Sequence, residues 1–461
     1  MIKTVTPIDN SIFVERNYAS NTEVENVLES SLVARKDWFN TPLVERKILI
    51  KKFVDSFLSN QQEVVETLCR QIGRPISQCP GEMRGFEERA KFMIDNSEIA
   101  LENVISKRDN EFDNFIKKEP LGTIFVIAPW NYPFNTSVNS IVPSLLAGNA
   151  VILKHSSQTP LCAEQLFEAA KKANLPNNIF QFLHLDHSTT SKVISDTRIN
   201  HVLFTGSVSG GREIKKSIST RFINAGLELG GKDPAYVRSD CNINHAIENL
   251  VDGSYFNSGQ SCCGIERIYV DEKIYDQFIE GFKNTAEKYI LGNPLEKETN
   301  LGPVVKLKAA EYIRSQVSKA INLGAKNIVN EKIFKMDDGS NCYVGPSALV
   351  NVDHSMEFMK EETFGPTVGI MKVSNEKEAI QLMNDSDYGL TASVWTSDTE
   401  FAKDMGSKIE TGTFFMNRCD YLDPGLSWTG VKETGKGCSL SEIAYEHLTK
   451  PKSFHLRKEL K

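Results

Sequence analysis

The chain has 461 residues, of which 25% are charged and 40% are apolar, values that are ordinary for a folded globular protein. This length allows roughly two or three domains with large buried cores. Its 53 Lys and Arg and 60 Asp and Glu give a net charge of −7, and there is no basic tract. These values argue against nucleic acid and anionic membrane surfaces as main partners.

The sequence carries no signal for a membrane or for secretion. No apolar run approaches the length of a membrane span, and residues 1–10 lack the apolar core of a signal peptide. The nine cysteines are scattered, with no Cys-x-x-Cys pair and no His spacing suited to zinc. We therefore expect reduced thiols, no metal site and a cytoplasmic location.

The first part of the chain has the apolar spacing of helices. Apolar residues recur at helical intervals over residues 22–71 and 81–101, where we expect scaffold helices. Residues 103–119 are polar and irregular, which indicates an exposed hairpin.

Beyond this hairpin, short apolar runs alternate with helix-like segments. Strands are expected over 123–128, 150–153, 179–183 and 201–204, with helices over 136–147, 160–173 and 209–219. A second block follows, with strands over 234–237, 267–270 and 368–373 and helices over 273–290, 305–323, 375–384 and 398–408. The alternation predicts an α/β fold with parallel sheets, which bind ligands at the carboxyl ends of their strands.

Polar or glycine-rich segments follow three strands of the first block. Asn131 lies between two prolines, where its amide can stabilise an oxyanion or simply form a turn. Lys154 can bind a ribose or a phosphate, or remain solvated. The stretch 206–211 opens a helix as pyrophosphate-binding turns do, although its pattern is not Gly-x-Gly-x-x-Gly.

Two adjacent cysteines, Cys262 and Cys263, lie among small residues between a helical run and a β-rich run. A thiolate is a strong nucleophile toward a carbonyl carbon, but most free cysteines are small buried hydrophobes. This stretch alone leaves both interpretations open. Glu228, which follows a β-like run and precedes a glycine pair, is a candidate base for a thiol or for water.

Taken together, these segments resemble the aldehyde dehydrogenase superfamily. Its two signature segments look like Leu-Glu-Leu-Gly-Gly-Lys, here 227–232, and Phe-Asn-x-Gly-Gln-x-Cys, here 256–262, in the same order. Further matches are Pro-Trp-Asn at 129–131, Phe-Thr-Gly-Ser at 204–207 and Glu-Glu-x-Phe-Gly-Pro at 361–366. The resemblance extends over nearly the whole chain.

The resemblance implies a fold and an assembly. It implies a Rossmann-like dinucleotide-binding domain, a second α/β catalytic domain and a small β oligomerisation arm, in a homodimer or homotetramer. On this basis we assign residues 1–102 and 120–230 to the NAD(P)-binding domain, 231–437 to the catalytic domain, and 103–119 and 438–461 to the arm.

The resemblance also implies a reaction, the NAD(P)-dependent oxidation of an aldehyde to a carboxylic acid. Cys262 would attack the aldehyde, and Asn131 with the Cys262 backbone N–H would hold the oxyanion. Hydride transfer would leave a thioester, which water activated by Glu228 would hydrolyse. The family register favours Cys262 over Cys263, and Glu228 argues against the CoA-acylating branch.

The cofactor site implied by the resemblance involves several of the strand ends. Lys154 and Glu362 would bind the two riboses and Ser207 the pyrophosphate. Ser157 stands where many NAD-preferring members carry a glutamate that repels a 2′-phosphate, so we expect NADP to be accepted. The remaining residues expected around the cofactor are Trp130, Gly206, Gly211, Leu229 and Phe364.

The substrate is harder to predict. Residues 427–430 depart from the family's Pro-Phe-Gly-Gly pattern. Arg418 is a candidate carboxylate clamp or an exposed structural arginine. An apolar tunnel, favouring an uncharged aldehyde, is suggested by Phe256, Val138, Phe415 and Trp428.

Three alternatives stay open at this point. One is a semialdehyde-specific dehydrogenase, such as one acting on succinate semialdehyde. Another is a catalytically silent relative with a structural or binding role. The last is a thioesterase-like hydrolase that uses Cys and Glu without a redox cofactor.

Overall fold

The computed structural model describes residues 1–459. Its α-helices are α1 Asn21–Asn40, α2 Leu43–Leu58, α3 Gln61–Ile72, α4 Pro80–Ala100, α5 Pro133–Leu146, α6 Pro160–Lys172, α7 His187–Ser195, α8 Val208–Ile218, α9 Ile243–Tyr255, α10 Tyr275–Ala286, α11 Leu307–Asn322, α12 Glu376–Asn384 and α13 Thr399–Gly406. None of these helices combines the length and the apolar character that a membrane span requires.

The strands of residues 1–459 form five sheets. They are β1 Ile2–Val5, β2 Ile12–Arg16, β3 Val104–Arg108, β4 Phe112–Pro120, β5 Thr123–Ala128, β6 Ala150–His155, β7 Phe180–Phe182, β8 His201–Thr205, β9 Ala225–Glu228, β10 Asp233–Val237, β11 Ile265–Asp271, β12 Lys326–Asn327, β13 Ser347–Val350, β14 Thr367–Val373, β15 Tyr388–Gly389, β16 Thr391–Trp395, β17 Thr413–Met416, β18 Val431–Lys432, β19 Gly435–Lys436 and β20 Thr449–Arg457.

The first large sheet has six strands in the order β19-β9-β8-β5-β6-β7. The pairs from β9 to β7 are parallel, and the edge strand β19 is antiparallel. Apolar clusters cover both faces, one built on α2, α4, α5 and α6 and the other on α1, α7 and α8. The carboxyl ends of β5, β6, β8 and β9 therefore share one edge, as the α/β alternation predicts.

The second large sheet has seven strands in the order β12-β13-β14-β11-β10-β16-β17. Its pairs are parallel except for the one at the β12 edge. β11, which leaves the double-cysteine segment, is buried along its whole length. The nucleophile candidates therefore lie at the entry to a central strand of this sheet.

A separate three-stranded antiparallel sheet is formed by β3, β4 and β20. The predicted hairpin over 103–119 is confirmed as β3 and β4. β20 pairs with β4 along its full length, so the end of the chain joins the same sheet. Of the predicted arm segment 438–461, residues 460 and 461 lie outside the described residues.

Several elements were not predicted from the sequence. The β1–β2 hairpin and α7 are short, and α7 lacks a long apolar stripe. The predicted helical region 22–71 is confirmed as the three helices α1, α2 and α3. The first break falls at Thr41-Pro42, because a residue before proline avoids helical backbone angles.

Candidate active site

The double-cysteine segment begins with a strained turn. α9 ends in the 3₁₀ turn Phe256–Gly259, where Asn257, Ser258 and Gly259 have φ angles of 52°, 57° and 68°. Left-handed backbone costs non-glycine residues about 1–2 kcal/mol each, so the surroundings must hold this turn. A Cβ on Gly259 would overlap a carbonyl oxygen of the facing loop, so this position requires glycine.

Hydrogen bonds to a neighbouring loop hold the turn in place. The Ser258 hydroxyl donates to the Gly302 carbonyl at 2.8 Å, and the Val305 N–H donates to the side-chain oxygen of Gln260 at 2.7 Å. The second bond gives a structural reason for the glutamine of the Phe-Asn-x-Gly-Gln pattern. Together the two bonds fix the backbone that carries Cys262.

The two cysteines differ in environment. Cys262 is half-buried and lines a cavity of about 390 Å³. Cys263 is buried, and its thiol donates to the Asp420 carboxylate at 2.9 Å, as the Ser261 hydroxyl does at 2.8 Å. The hydrogen bond with Cys262, together with burial, raises the pKa of the Cys263 thiol. Both cysteines border the cavity, but Cys263 is held as a neutral thiol by its hydrogen bonds and burial, and Cys262 is the more exposed of the two.

Glu228 lines the same cavity from the end of β9. Its carboxylate accepts from the Ser439 hydroxyl at 2.5 Å and from the Thr205 hydroxyl at 3.0 Å. Burial raises the pKa of Glu228, and these two hydrogen bonds oppose the rise. A Cβ on Gly231 would lie 2.7 Å from the Cys262 carbonyl oxygen, so the two signature segments touch.

Asn131 follows β5 and is buried beside the nucleophile turn. Its side-chain nitrogen donates to the Gln260 carbonyl at 3.2 Å, two residues before Cys262. A carboxamide nitrogen carries two hydrogens, so one donor remains for another oxygen. The cavity wall itself is formed at this point by the next residue, Tyr132.

A buried ion pair that the sequence did not reveal supports this arrangement. The Arg74 guanidinium donates to the Glu82 carboxylate at 2.6 Å, to the Asn257 side-chain oxygen at 3.0 Å and to the Asn131 carbonyl. The second Glu82 oxygen accepts from the first two free backbone N–H groups of α5 at 2.9 Å each. One ion pair thus fixes the Asn131 loop, the nucleophile turn and the start of α5.

At the carboxyl end of β6, Lys154 is a half-buried cation. Burial lowers its pKa, and within residues 1–459 its ammonium group makes no hydrogen bond or ion pair. Ser157 is exposed nearby, and its carbonyl accepts from the Thr4 hydroxyl of β1 at 2.8 Å. The unpredicted N-terminal hairpin therefore supports the loop that contains Ser157.

The turn after β8 differs in one respect from the expectation. Ser207 caps α8 by accepting from the backbone N–H three residues on, at 3.2 Å. The N–H of Gly206 donates to the Glu228 carbonyl, and that of Gly211 to the Ser207 carbonyl. Neither glycine N–H is therefore free for a pyrophosphate. Gly211 instead permits close packing, since a Cβ there would lie 2.7 Å from Leu229.

Glu362 lies against the glycine pair that follows β9. Its carboxylate accepts from the Gly231 N–H at 3.1 Å, and burial raises its pKa to about 8. A Cβ on Gly230 would overlap this carboxylate. Phe364 meets Trp130 edge-on with ring centroids 5.6 Å apart, so the loops after β5 and before β14 are in contact.

A second buried ion pair, between Lys232 and Glu266, fixes this segment. Glu266 also accepts from the backbone N–H groups of Thr363 and Phe364 at 2.9 Å each. The lysine of the first signature segment is therefore a positioning residue. No local pattern shows this role, because the partner of Lys232 lies on β11.

These features fit a nicotinamide dinucleotide. Lys154, Ser207 and Glu362 all lie at the carboxyl edge of the six-stranded sheet, and Glu228 and Cys262 border the same edge. An unpaired, half-buried ammonium group suits ribose hydroxyls or a phosphate, and a carboxylate with spare acceptor sites suits a ribose. The part of the chain that the structure describes contains no cluster of three metal-binding side chains.

Comparison with known proteins decides the family. A family model described as "Aldehyde dehydrogenase family" matches residues 1–454. The chain belongs to the aldehyde dehydrogenase family. The predicted resemblance, the α/β fold class and the enzyme class are thereby confirmed.

Relatives of this aldehyde dehydrogenase span nearly its whole length. It is 30% identical to the succinate semialdehyde dehydrogenase [NAD(P)+] Sad of Escherichia coli, over 95% of this chain and 96% of that protein. It is 32% identical to a 3-sulfolactaldehyde dehydrogenase of Priestia aryabhattai, over 94% and 90%. A solved succinic semialdehyde dehydrogenase from Streptococcus pyogenes, in complex with NADP+, superposes with a TM-score of 0.94 at 26% identity, over 99% and 100%.

The substrate side of this aldehyde dehydrogenase corrects part of the sequence interpretation. Phe256 and Trp428 line the cavity. Val138 does not, because it is buried in the core around α5, and Phe415 lies on β17 outside the cavity wall. The cavity wall is mixed, because arginine and asparagine side chains from α4, α5 and α9 lie among apolar side chains. Two of the four residues predicted to form an apolar tunnel therefore do not take part in the wall.

Arg418, a candidate from the sequence for binding a substrate carboxylate, does not reach the cavity. It is exposed, lies outside the cavity wall and places its guanidinium 3.4 Å from the ring centre of Tyr421. The arginines in the wall are Arg74, which is paired with Glu82, and Arg84 and Arg89 of α4. The helix α4 was predicted to be scaffold, because helical spacing does not show which polar face meets a cavity.

Proposed function

We propose that this protein oxidises an aldehyde to the carboxylic acid with NADP or NAD, with Cys262 as nucleophile and Glu228 as base. The observation that carries the proposal is that both residues line one cavity, with the Asn131 amide beside the nucleophile turn. A bound nicotinamide dinucleotide supplies the hydride acceptor. Lys154, Ser157, Ser207 and Glu362 would hold it, with Trp130 and Phe364 beside it.

The protein's own residues account for the covalent steps. The Cys262 thiolate adds to the carbonyl carbon, and the carbonyl oxygen becomes an oxyanion held by Asn131 and the Cys262 N–H. Loss of hydride from this adduct leaves a thioester. Glu228 removes a proton from water, which attacks the thioester and releases the acid and the Cys262 thiolate.

We further propose the division of the chain given by the resemblance, with domains 1–102 with 120–230 and 231–437 and an arm of 103–119 and 438–461. The three-stranded sheet β3-β4-β20 supports an arm that pairs with a second copy, in a homodimer or homotetramer. Strand β3 is exposed along its length at the edge of that sheet. A cytoplasmic location is proposed from the free cysteines.

The test is absorbance of reduced nicotinamide. The purified protein is given NADP or NAD with aliphatic, aromatic and carboxylated aldehydes. An increase with at least one aldehyde is expected. Silence with every aldehyde despite dinucleotide binding would favour a catalytically silent relative, and thioester hydrolysis without dinucleotide binding would favour a hydrolase.

Cofactor choice is expected to change at Ser157. A Ser157→Glu variant should lose on the order of 100-fold in kcat/KM with NADP, because juxtaposed like charges cost several kcal/mol, and should change little with NAD. Ser219→Glu, an exposed serine at the far end of α8, is the control for added charge. Equal losses with both cofactors would contradict a 2′-phosphate role.

The acid limb of the pH–kcat profile is expected to move in a Ser439→Ala variant. The Ser439 hydroxyl lowers the pKa of Glu228, so removing the hydroxyl raises that pKa. As the pH falls, Glu228 is then protonated, and stops acting as a base, at a higher pH than in wild type. The shift should be about one pH unit, since a hydrogen bond to a charged group contributes roughly 1.5–3 kcal/mol. Ser427→Ala, whose hydroxyl pairs with Ser441, is the control. An unmoved limb would show that Ser439 does not tune the base.

A further inference from the structure

Arg89 is a cation in the cavity wall that lacks a partner of opposite charge. It lies on α4, half-buried, and donates to the Asn135 carbonyl of α5 at 2.9 Å. Within residues 1–459 no carboxylate lies within 4.0 Å of its guanidinium, the limit for an ion pair. A guanidinium has five N–H donors, so most of its donor capacity remains open toward the cavity.

The carboxylates around the cavity are already engaged by other groups. Burial lowers the pKa of Arg89, and the nearby Glu82, Cys263 and Glu228 oppose this shift. The five carboxylates in the cavity wall have partners of their own: Glu82 binds Arg74, Glu228 accepts from Ser439 and Thr205, Asp420 accepts from Ser261 and Cys263, Glu88 accepts from Tyr421, and Asp252 accepts from Tyr289.

An unpaired guanidinium in a partly desolvated wall is costly unless an anion binds it. A planar or tetrahedral oxyanion such as a carboxylate or sulfonate accepts two parallel N–H bonds from arginine. Arg84, which is exposed, lines the same cavity and adds a further positive charge to it. Cys262, where the aldehyde carbon must lie, shares this cavity of about 390 Å³.

We propose that Arg89 is a specificity-determining residue that binds the far end of a short aldehyde bearing a terminal anionic group, a carboxylate or a sulfonate. This inference rests on the proposed function, in which Cys262 attacks the other end of the molecule. It replaces the uncharged substrate that the sequence favoured. Binding at both ends would set the carbonyl carbon against the thiol and so lower the entropic part of the barrier.

The test compares aldehydes matched in length but not in charge. Succinate semialdehyde, its sulfonate analogue and butanal are each titrated against wild type, Arg89→Gln, Arg89→Lys and Arg418→Gln. Arg418→Gln removes the same charge from the exposed arginine outside the cavity. Wild type should prefer an anionic aldehyde, and Arg89→Gln should lose about 100-fold in kcat/KM for it, while butanal changes little. The kcat/KM of Arg89→Lys for the anionic aldehyde should lie between those of wild type and Arg89→Gln, because lysine keeps the positive charge but lacks the two parallel N–H donors of a guanidinium.

Each result decides between the hypotheses. Preference for the carboxylate or for the sulfonate identifies the anion. Equal losses for butanal and the anionic aldehydes in Arg89→Gln, or no wild-type preference for charge, would overturn the inference and leave the proposed function standing. If no aldehyde is oxidised, the proposed function fails. The role of Arg89 in binding an anion is then tested by the rate at which an alkylating reagent modifies Cys262. Succinate should slow the alkylation of Cys262 in wild type and in Arg418→Gln but not in Arg89→Gln. Equal alkylation rates with and without succinate in wild type would overturn the inference.

Discussion

Replacing Cys262 with alanine is expected to lower kcat for aldehyde oxidation by about 10⁴-fold or more. Without the thiol no covalent adduct forms, and the remaining groups of the site cannot act together on the aldehyde. The measurement is reduction of NADP under saturating aldehyde, together with dinucleotide binding to show that the variant is folded. The loss should fall on kcat, because the dinucleotide-binding residues are untouched.

The neighbouring cysteine provides the matched control. Cys263→Ser keeps a hydroxyl that can donate to Asp420, as the thiol does at 2.9 Å, so its activity should stay within about tenfold of wild type. If Cys263→Ser were inactive and Cys262→Ser active, the assignment of the nucleophile would be wrong. Both variants inactive would indicate that the Cys263–Asp420 bond is needed to hold the loop.

The sequence predicted the strands and the signature segments well, because both depend on local patterns. Short apolar runs alternating with helices define the sheet through β5, β6 and β8, whose bounds differ from the predicted ones by at most two residues at each end. The roles proposed for Cys262 and Glu228 came from the family's motifs rather than from their spacing. The structure adds that Gly231, which has no Cβ, allows the segment of Glu228 to contact the segment of Cys262.

The residues that support the site could not be predicted from local sequence patterns. Arg74 contacts Asn131 and Asn257, which lie 57 and 183 positions further along the chain, and no local pattern encodes such pairs. Val138 and Arg89 show the related difficulty on helices. Apolar residues at helical spacing can face a core or a cavity, and a polar face can meet solvent or a substrate, until the packing of α4 against α5 is known.

Replacing Arg74 with methionine is expected to lower the free energy of unfolding by about 3–5 kcal/mol. The substitution leaves the Glu82 carboxylate buried without its cation, and removes donors to Asn131 and Asn257. Urea unfolding of the purified variant measures the change. Arg418→Met, on the surface, should stay within about 0.5 kcal/mol of wild type. An unchanged midpoint for Arg74→Met would contradict a structural role for the pair.

A double variant, Arg74→Met with Glu82→Leu, separates the charge from the hydrogen bonds. Removing both charges takes away the unpaired carboxylate, so part of the lost stability should return. Recovery should be incomplete, because the N–H groups of Phe134 and Asn135 lose the acceptor that they share in Glu82. Activity should remain low, since the Asn131 loop and the nucleophile turn have lost their common donor. Full recovery of both stability and activity would contradict a positioning role, because it would show that the two side chains do no more than neutralise each other's charge.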